Sequence, residues 1–238
     1  NSAISTLLGT GATKGDGQMS APTAKHVLAL IARGLSEHLN DAIWNGIRNA
    51  NGDSTKDLFD GFDTITAREI KAGNISQSAK NYAKLNEEIN VNNVIDVFKD
   101  VLWGLDPHLR AKDLVVFCPQ YIVDFYNEAY MLTHSGISYN NAYNQTSVEG
   151  SNNRMTFIPL PNKADSKLIH ITTKSNMLVG FDQMSDLESI MVKEYAPFVL
   201  SYVATMFFGV QFLGIESHDM FVLGLNGFNA RSEERRVG

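Results

Sequence analysis

One tract limits what this chain can fold into more than any other: no charged residue occurs between Ala196 and Ile215, inside "EYAPFVLSYVATMFFGVQFLGIESHD". A helix that spans a bilayer needs about 20 apolar residues, so the tract has that length. Its content argues against a membrane span, because it contains proline, glycine, serine and glutamine and no Lys or Arg cluster flanks it closely. We therefore expect no association with a membrane.

The same tract is rich in β-branched and aromatic residues, which favours extended structure over helix. We predict one long strand or two consecutive strands, buried on both faces and bent at Gly209, since glycine inside a strand often marks a bend. At about 3.3 Å per residue, about twelve such residues would span about 40 Å. That length is unusual for the core of an enzyme.

Composition excludes several classes of protein. The chain has 238 residues, a formal net charge of −6 and 44% hydrophobic residues, which fits one large or two small soluble domains. The acidic balance argues against a protein that binds DNA by neutralising phosphates. A single cysteine, Cys118, excludes a disulfide framework and a multi-cysteine zinc site. The first residues lack the pattern of a secretion signal, and without an initiator Met we expect the chain to begin inside a longer gene product.

Helical periodicity is strongest in the first half. "TAKHVLALIARGLSEHLNDAIWNGI" has one apolar stripe, with Thr23 as a candidate cap. A second helix is predicted over Asn92–Gly104, followed by a buried strand, "DLVVFC". Pro119 is predicted to begin a third helix, "PQYIVDFYNEAYMLTH", because proline is favoured in a first helical turn.

The second half alternates a long loop with short strands. Residues 135–153 are polar and rich in Asn, without periodicity, and are predicted to form a loop. Five later segments are predicted strands besides the uncharged tract: "MTFIPL", "LIHITT", "NMLVGFD", "ESIMVKEY" and "DMFVLGL". The fold class is therefore α+β, without the regular alternation of a doubly wound enzyme and without internal repeats.

Residues with reactive side chains form no recognisable catalytic or metal-binding pattern. The six histidines are scattered and are expected on the surface or in loops: His26, His38, His108, His134, His170 and His218. Cys118 ends a predicted buried strand and is expected to be an inert thiol. The glycines of "GTGATKGDG" fit neither a dinucleotide-binding nor a P-loop spacing and indicate a flexible terminal segment.

Three carboxylates recur every third residue, at Asp57, Asp60 and Asp63; a solvated turn is the favoured interpretation and a cation site the alternative. Asn74 and Asn144 match the glycosylation acceptor pattern, which is too short to mean much without a secretory context. We predict no catalytic, cofactor-binding or metal-binding residue, no cofactor, and a structural protein rather than an enzyme.

Three stretches resemble the major capsid proteins of tailed bacteriophages, which have the Hong Kong 97-type fold. "DAIWNGIRNANGDSTKDLFDGFDTI" is similar to the end of that family's spine helix and the turn after it. "VIDVFKDVLWGLDPHLRAKDLVVFCPQYIVDFYNEA" resembles the helix–strand–helix of its axial domain. "NMLVGFDQMSDLESIMVKEYAPFVLSYVATMFFGVQFLGIESHDMFVL" is similar to its closing strands and is the most specific match. The resemblance covers about Ala21 to Leu225.

The resemblance implies a division into domains. Residues 21–60 and 188–226 would form a peripheral domain, with the spine helix and long strands, and residues 61–187 a mixed α/β axial domain. Residues 1–20 would be a flexible remnant of an N-terminal arm and extended loop, and residues 227–238 a disordered tail. The arm and most of the loop are expected to be missing, so this chain alone should close shells poorly. No cross-linking residues can be matched.

The resemblance also implies a function. The protein would be a virion component of a phage or prophage, assembled in the bacterial cytoplasm through pentamers and hexamers into an icosahedral shell around double-stranded DNA. Its partners would be copies of itself and portal, scaffold or decoration proteins, with packaged DNA contacted only non-specifically. The loop 135–153 would lie at the mobile tip of the axial domain, facing solvent.

Alternatives remain open from the sequence. Trp44 either contacts a neighbouring subunit or packs in the core, the latter being favoured. An encapsulin-like shell around cargo enzymes shares the implied fold. An α+β enzyme with a small-molecule pocket near "DLVVFCPQYIVDFY" and a membrane-anchored protein are the remaining alternatives.

Overall fold

The computed structural model describes residues 21–134, 146–181, 190–196, 199–204 and 208–229. Contacts divide the chain into two compact units. The first comprises Asn1–Asp41 and Phe181–Phe208, and the second comprises Ala42–Gly180 and Gly209–Gly238. The described chain is mixed α+β, as the sequence predicts.

Five α-helices are described: α1 Ala21–Asn45, α2 Phe62–Ala72, α3 Val94–Gly104, α4 Pro107–Arg110 and α5 Gln120–Thr133. Short 3-10 helices cover Thr55–Asp57, Pro161–Lys163 and Lys174–Asn176. The nine described strands are β1 Tyr82–Lys84, β2 Leu114–Pro119, β3 Met155–Leu160, β4 Leu168–Thr172, β5 Met177–Phe181, β6 Ile190–Ala196, β7 Val199–Ala204, β8 Phe208–Phe212 and β9 Met220–Gly224.

A mixed five-stranded sheet organises the second unit, in the order β1-β9-β4-β2-β3. The outer pairs β1–β9 and β2–β3 are parallel, whereas β4 is antiparallel to both β2 and β9. Every residue of β4 and of β9 is buried, which is typical of central strands covered on both faces.

Two apolar clusters cover the two faces of this sheet. Alternate residues of β9 belong to different clusters: Phe221 and Leu223 to the first, Met220 and Val222 to the second. Helices α3 and α5 contribute Phe98 and Tyr126 among others to the first cluster. Trp44, at the end of α1, and α2 contribute to the second. The second unit therefore has helices on both sides of its sheet.

Within the described residues, the uncharged tract forms the two strands β7 and β8, in agreement with the prediction of extended structure there. β7 pairs antiparallel with β6, with an irregularity between Glu194 and Ala196, and β8 pairs with β5. The prediction of burial on both faces is wrong for β8: Gln211 is exposed, the three residues before it are half-buried, and only Phe212 is buried. Gly209 lies inside β8.

Several boundaries differ from the predictions. Thr23, the candidate cap of the first helix, lies inside α1, which begins at Ala21. Helix α3 begins at Val94 instead of Asn92, because the side chains of Asn90 and Asn93 both donate to the carbonyl of Glu88, and Asn93 also accepts from the N–H of Asn90. Pro119 is the last residue of β2, not the first of α5; its φ of −58° and ψ of 148° suit an extended residue at a helix cap. Helix α2 was not predicted, although Gly73 ends it in the left-handed conformation.

The segment predicted to be a mobile loop over residues 135–153 is described from residue 146 onward. That part has no regular element beyond a bridge between Ser147 and Thr156. Its exposure is mixed: Val148 and Ser151 are buried, whereas Gly150, Asn152 and Asn153 are exposed. Asn152 and Asn153 both have positive φ, 53° and 61°, and the N–H of Arg154 donates to the carbonyl of Ser151. These are the features of a type I′ turn.

The expectations for the chain ends meet the described residues only in part. Residues 1–20 and 230–238 lie outside them. Phe228 falls in the segment predicted to be a disordered tail, yet its side chain is buried in the second cluster. None of the helices in the described part of the chain combines the length and the apolar composition needed to cross a bilayer.

Candidate functional site

Charged and polar side chains meet in the core of the second unit. Lys163 and His170 have no exposed surface, and the side chain of Asp63 is 14% exposed. The three residues come from distant parts of the sequence. We call them, with Thr66 and Ser166, the buried polar cluster.

Local structure explains how these side chains converge. Asp63 lies in the first turn of α2, and Thr66 follows three residues later on the same helix face. His170 occupies the centre of β4 and points to the same side of the sheet as Leu168, two residues earlier. Lys163 ends the 3-10 helix that follows β3, which directs its side chain back under the sheet.

An ion pair holds the centre of the cluster. The Nζ of Lys163 lies 2.5 Å from Oδ1 of Asp63, and the hydroxyl of Ser166 donates to Oδ2 at 2.5 Å. The ammonium also lies 4.4 Å from the centroid of the Trp44 ring, within the range of a cation–π interaction. Both carboxylate oxygens of Asp63 are therefore satisfied, as a buried charge requires.

The hydrogen bonds of His170 assign its tautomer. The hydroxyl of Thr66 donates to the carbonyl of Phe62 at 2.8 Å, so it can only accept from Nε2 of His170, also at 2.8 Å. Nδ1 then carries a lone pair and faces Lys163 Nζ at 3.5 Å. The imidazole is neutral, protonated on Nε2, and links α2 to the lysine.

Burial dominates the ionisation of these groups. It lowers the pKa of His170 well below the usual 6.5, and the positive charge of Lys163 lowers it further. Burial also lowers the pKa of Lys163, while Asp63 acts in the opposite direction. Neither Lys163 nor His170 can touch a substrate in this conformation, because neither has accessible surface. The cluster joins α2, β4 and the loop between β3 and β4.

The histidines fall into two groups. His26, His38, His108 and His218 are exposed and His134 is half-buried at the end of α5, as expected. The expectation is wrong for His170, which is fully buried. Its position in the apolar strand "LIHIT" is the sequence signal that was missed, because a polar residue in a fully buried strand needs a partner.

The three aspartates do not form a common site. Asp57 accepts from the N–H of Ser54 and caps a 3-10 helix, and Asp60 accepts from the N–H of Arg48 and pairs with Arg68. Asp63 alone turns inward, so the interpretation as a solvated turn is wrong for it. In the described part of the chain, no group of three or more His, Cys, Asp or Glu side chains is arranged to hold a metal ion.

The sequence singles out four further residues. Cys118 is buried, and burial raises the pKa of its thiol to about 12, in agreement with an inert side chain. Trp44 is 6% exposed and packs against Phe62 and Phe117 with ring centroids 5.4 Å apart, so core packing is the correct alternative. Asn74 is exposed and its amide bonds to Glu69, whereas Asn144 lies outside the described residues.

Exposed apolar side chains mark a different part of the second unit. Leu178 and Val179 in β5 are 44% and 45% exposed, and Leu213, next to β8, is 72% exposed. Because Leu178 and Val179 are adjacent in a strand, they point to opposite faces of the β5–β8 ribbon. Within the described residues this ribbon belongs to no larger sheet. An isolated two-stranded ribbon is marginally stable in water, so such a surface is typical of one that a partner covers.

Neither a scan against protein-family models nor a search of curated proteins gives a match.

Proposed function

We propose that this protein is a structural shell subunit of the tailed-phage major capsid type, which assembles through pentamers and hexamers into an icosahedral shell around double-stranded DNA. The observation that supports this most directly is the β5–β8 ribbon, with apolar side chains exposed on both faces. A subunit that assembles with copies of itself presents such exposed apolar surfaces to its neighbours.

The amphipathic helix α1 supports the same function. Its predicted apolar stripe is incompletely covered, since Ile31, Leu35 and Leu39 are half-buried and Leu30 is 59% exposed. In the first unit this helix groups with the extended β6–β7 pair, although more than a hundred residues separate them. The resemblance leads one to expect a long helix grouped with strands from the far end of the chain, although β6 and β7, of seven and six residues, are shorter than the long strands it implies.

Electron microscopy of the full gene product tests the proposal. We expect closed particles or rings of five and six subunits, at protein concentrations where a monomer would remain dispersed. A strictly monomeric protein by light scattering, at every concentration and salt tried, would contradict it. Purified particles that enclose protein cargo instead of DNA would favour the encapsulin-like alternative.

Variants of the β5–β8 ribbon test whether its exposed apolar side chains form the contacts between subunits. Leu178→Glu and Leu213→Glu should reduce particle yield at least tenfold while leaving the far-ultraviolet circular dichroism of the subunit unchanged. Lys174→Glu is the matched control, since Lys174 is exposed in the turn before β5 but presents no apolar surface. Equal particle yields from all three variants would show that the ribbon is not an assembly contact.

A further inference from the structure

A small pocket opens on the second unit, and none of its lining residues belongs to the buried polar cluster. It lies between the end of α3, helix α4 and the turn that precedes β3, with a volume of about 200 Å³. Leu102, Leu114 and Met155 are buried and provide an apolar floor. The volume suits one aromatic or branched side-chain-sized group.

The rim of the pocket is cationic. Arg110 and Arg154 both line it, and neither forms an ion pair with a carboxylate of the described chain. The guanidinium of Arg110 lies 5.2 Å from the centroid of the Trp103 ring, and Arg154 Nε donates one long hydrogen bond, 3.4 Å, to the carbonyl of Ser151. Most of their N–H donors are thus available. Two such groups in a chain of net charge −6 form a local site for an anion.

Trp103 adds an aromatic wall. Its side chain is 68% exposed, although tryptophan is usually largely buried. The cation–π contact places the guanidinium of Arg110 over one face of the ring. A planar group entering the pocket can therefore pack on the tryptophan while its charge meets the arginine.

A turn of defined backbone geometry forms another part of the rim of the pocket, over residues 150–154. Gly150, Asn152 and Asn153 all have positive φ, and the last two form the type I′ turn that precedes Arg154. Of the described non-glycine residues only Lys80 shares this conformation. The turn is held by Ser151, whose hydroxyl donates to the carbonyl of Val148 at 2.6 Å. Arg154 is thus presented by a defined turn and not by a loose loop.

We propose that this pocket binds an organic carboxylate on an aromatic or apolar stem, with the carboxylate between Arg110 and Arg154 and the stem against Trp103 and the apolar floor. Inorganic phosphate alone would leave the floor empty, and a neutral ring would leave the guanidinium groups without an acceptor. The carboxylate could be that of a free aromatic acid or the C-terminus of a peptide chain ending in an apolar residue. The proposal does not depend on the shell function.

Nuclear magnetic resonance gives a direct readout, because the chain has only two tryptophans, Trp44 and Trp103. At constant ionic strength, benzoate should shift the Trp103 indole N–H signal saturably in the millimolar range and leave the Trp44 signal in place. Benzamide should produce at least tenfold weaker binding. Loss of the moving signal in Trp103→Phe assigns it.

Variants separate the guanidinium contribution from general charge. Arg110→Gln and Arg154→Gln should each weaken benzoate binding about tenfold, the effect of losing one charge-assisted hydrogen bond. Arg68→Gln is the control, since Arg68 pairs with Asp60 elsewhere on the unit, and it should bind benzoate as the parent does. Unchanged spectra outside the pocket show that the variants fold.

A second pair of probes distinguishes the source of the carboxylate. N-acetylphenylalanine represents a peptide C-terminus, and its amide is the neutral control. Tighter binding of N-acetylphenylalanine than of benzoate identifies a peptide terminus, and the reverse order identifies a free acid; either order supports the pocket. The proposal is overturned by no saturable shift up to 20 mM, by equal binding of acid and amide, by equal binding of inorganic phosphate, or by no effect of either arginine variant.

Discussion

At the scale of single residues, Lys163 shows how this chain accommodates a fully buried charge. Its ammonium is bonded to Asp63, lies over Trp44 and faces the lone pair of His170. Removing an ammonium from water costs several kcal/mol even after relaxation, so each of these contacts offsets part of that cost. The ion pair of Lys163 and Asp63 holds α2 and the loop between β3 and β4 together in the core, and is not expected to add net stability.

The pair makes a mutational prediction. Asp63→Asn keeps the shape and the bond from Ser166 but leaves Lys163 without a counter-charge, and should lower the free energy of unfolding by about 3–5 kcal/mol. Urea denaturation followed by circular dichroism measures the loss. Arg68→Ala breaks the largely exposed pair with Asp60 and should change stability by less than about 1 kcal/mol. A loss from Asp63→Asn no larger than from the control would mean that Lys163 is not held as a buried ion.

His170 predicts a pH dependence. Its pKa is lowered in the folded protein, so the unfolded chain binds a proton that the folded chain does not. Titration of His170 should therefore leave the free energy of unfolding unchanged above pH 7. The free energy of unfolding should fall as the pH drops below about 6.5, by at most about 1.4 kcal/mol per pH unit. Chemical denaturation between pH 8 and pH 5 measures the slope. His170→Gln cannot titrate and should flatten that part of the profile; an unchanged profile would exclude His170 as the cause.

At the scale of elements, α1 and α2 are joined by direct backbone contact. The N–H of Gly61 donates to the carbonyl of Gly46 at 2.8 Å, and a Cβ on Gly61 would lie 2.5 Å from the carbonyl oxygen of Trp44. Such a contact is possible only without a side chain. The glycine therefore sets how the end of α1, with Trp44, approaches the start of α2, with Asp63.

This contact predicts that Gly61→Ala will destabilise the protein. The added methyl group must displace backbone and not a flexible side chain, at a cost of about 1–3 kcal/mol. Gly104→Ala is the control: nothing lies within 4 Å of its Cβ position at the end of α3. It should be neutral or slightly stabilising, by up to about 1 kcal/mol. Thermal unfolding compares the two, and equal melting temperatures would contradict the close approach.

The elements predicted from sequence were those with a strong local signal. The type of element was predicted correctly from the apolar stripe of α1, from the apolar runs of β2, β3 and β4, and from the β-branched residues of β7. Helix α2 was missed because only three of its 11 residues are large and apolar, Phe62, Ile65 and Ile70, and β1 because it has only three residues, Tyr82–Lys84. Both are stabilised by neighbours distant in sequence, β1 by its parallel pairing with β9.

At the scale of the whole molecule, the acidic net charge argues against tight binding of nucleic acid through its phosphates. With a formal net charge of −6, the subunit should repel phosphates on average. A shell that contains DNA without sequence-specific contacts is compatible with that balance, since confinement needs only a closed wall.

This predicts that the isolated subunit will not bind duplex DNA at physiological ionic strength. An electrophoretic mobility shift assay with a 30-base-pair duplex should show no complex at micromolar protein in 150 mM salt. Lowering the salt to 50 mM strengthens any electrostatic binding and serves as the internal control. A salt-resistant complex would show a concentrated basic surface and contradict the expectation of non-specific contact alone.

The sequence by itself determined the α+β class, the extended state of the uncharged tract, the inert buried Cys118 and the exposure of most histidines. These four features depend on local periodicity, on β-propensity and on the absence of charge. All three are properties that a segment has before the chain folds. Tertiary structure decided that Asp63, Lys163 and His170 meet, that Trp44 packs in the core, and that Arg110 and Arg154 share a pocket with Trp103. Spacing along the chain does not encode those meetings, because they arise where helices and strands from distant segments pack on one sheet.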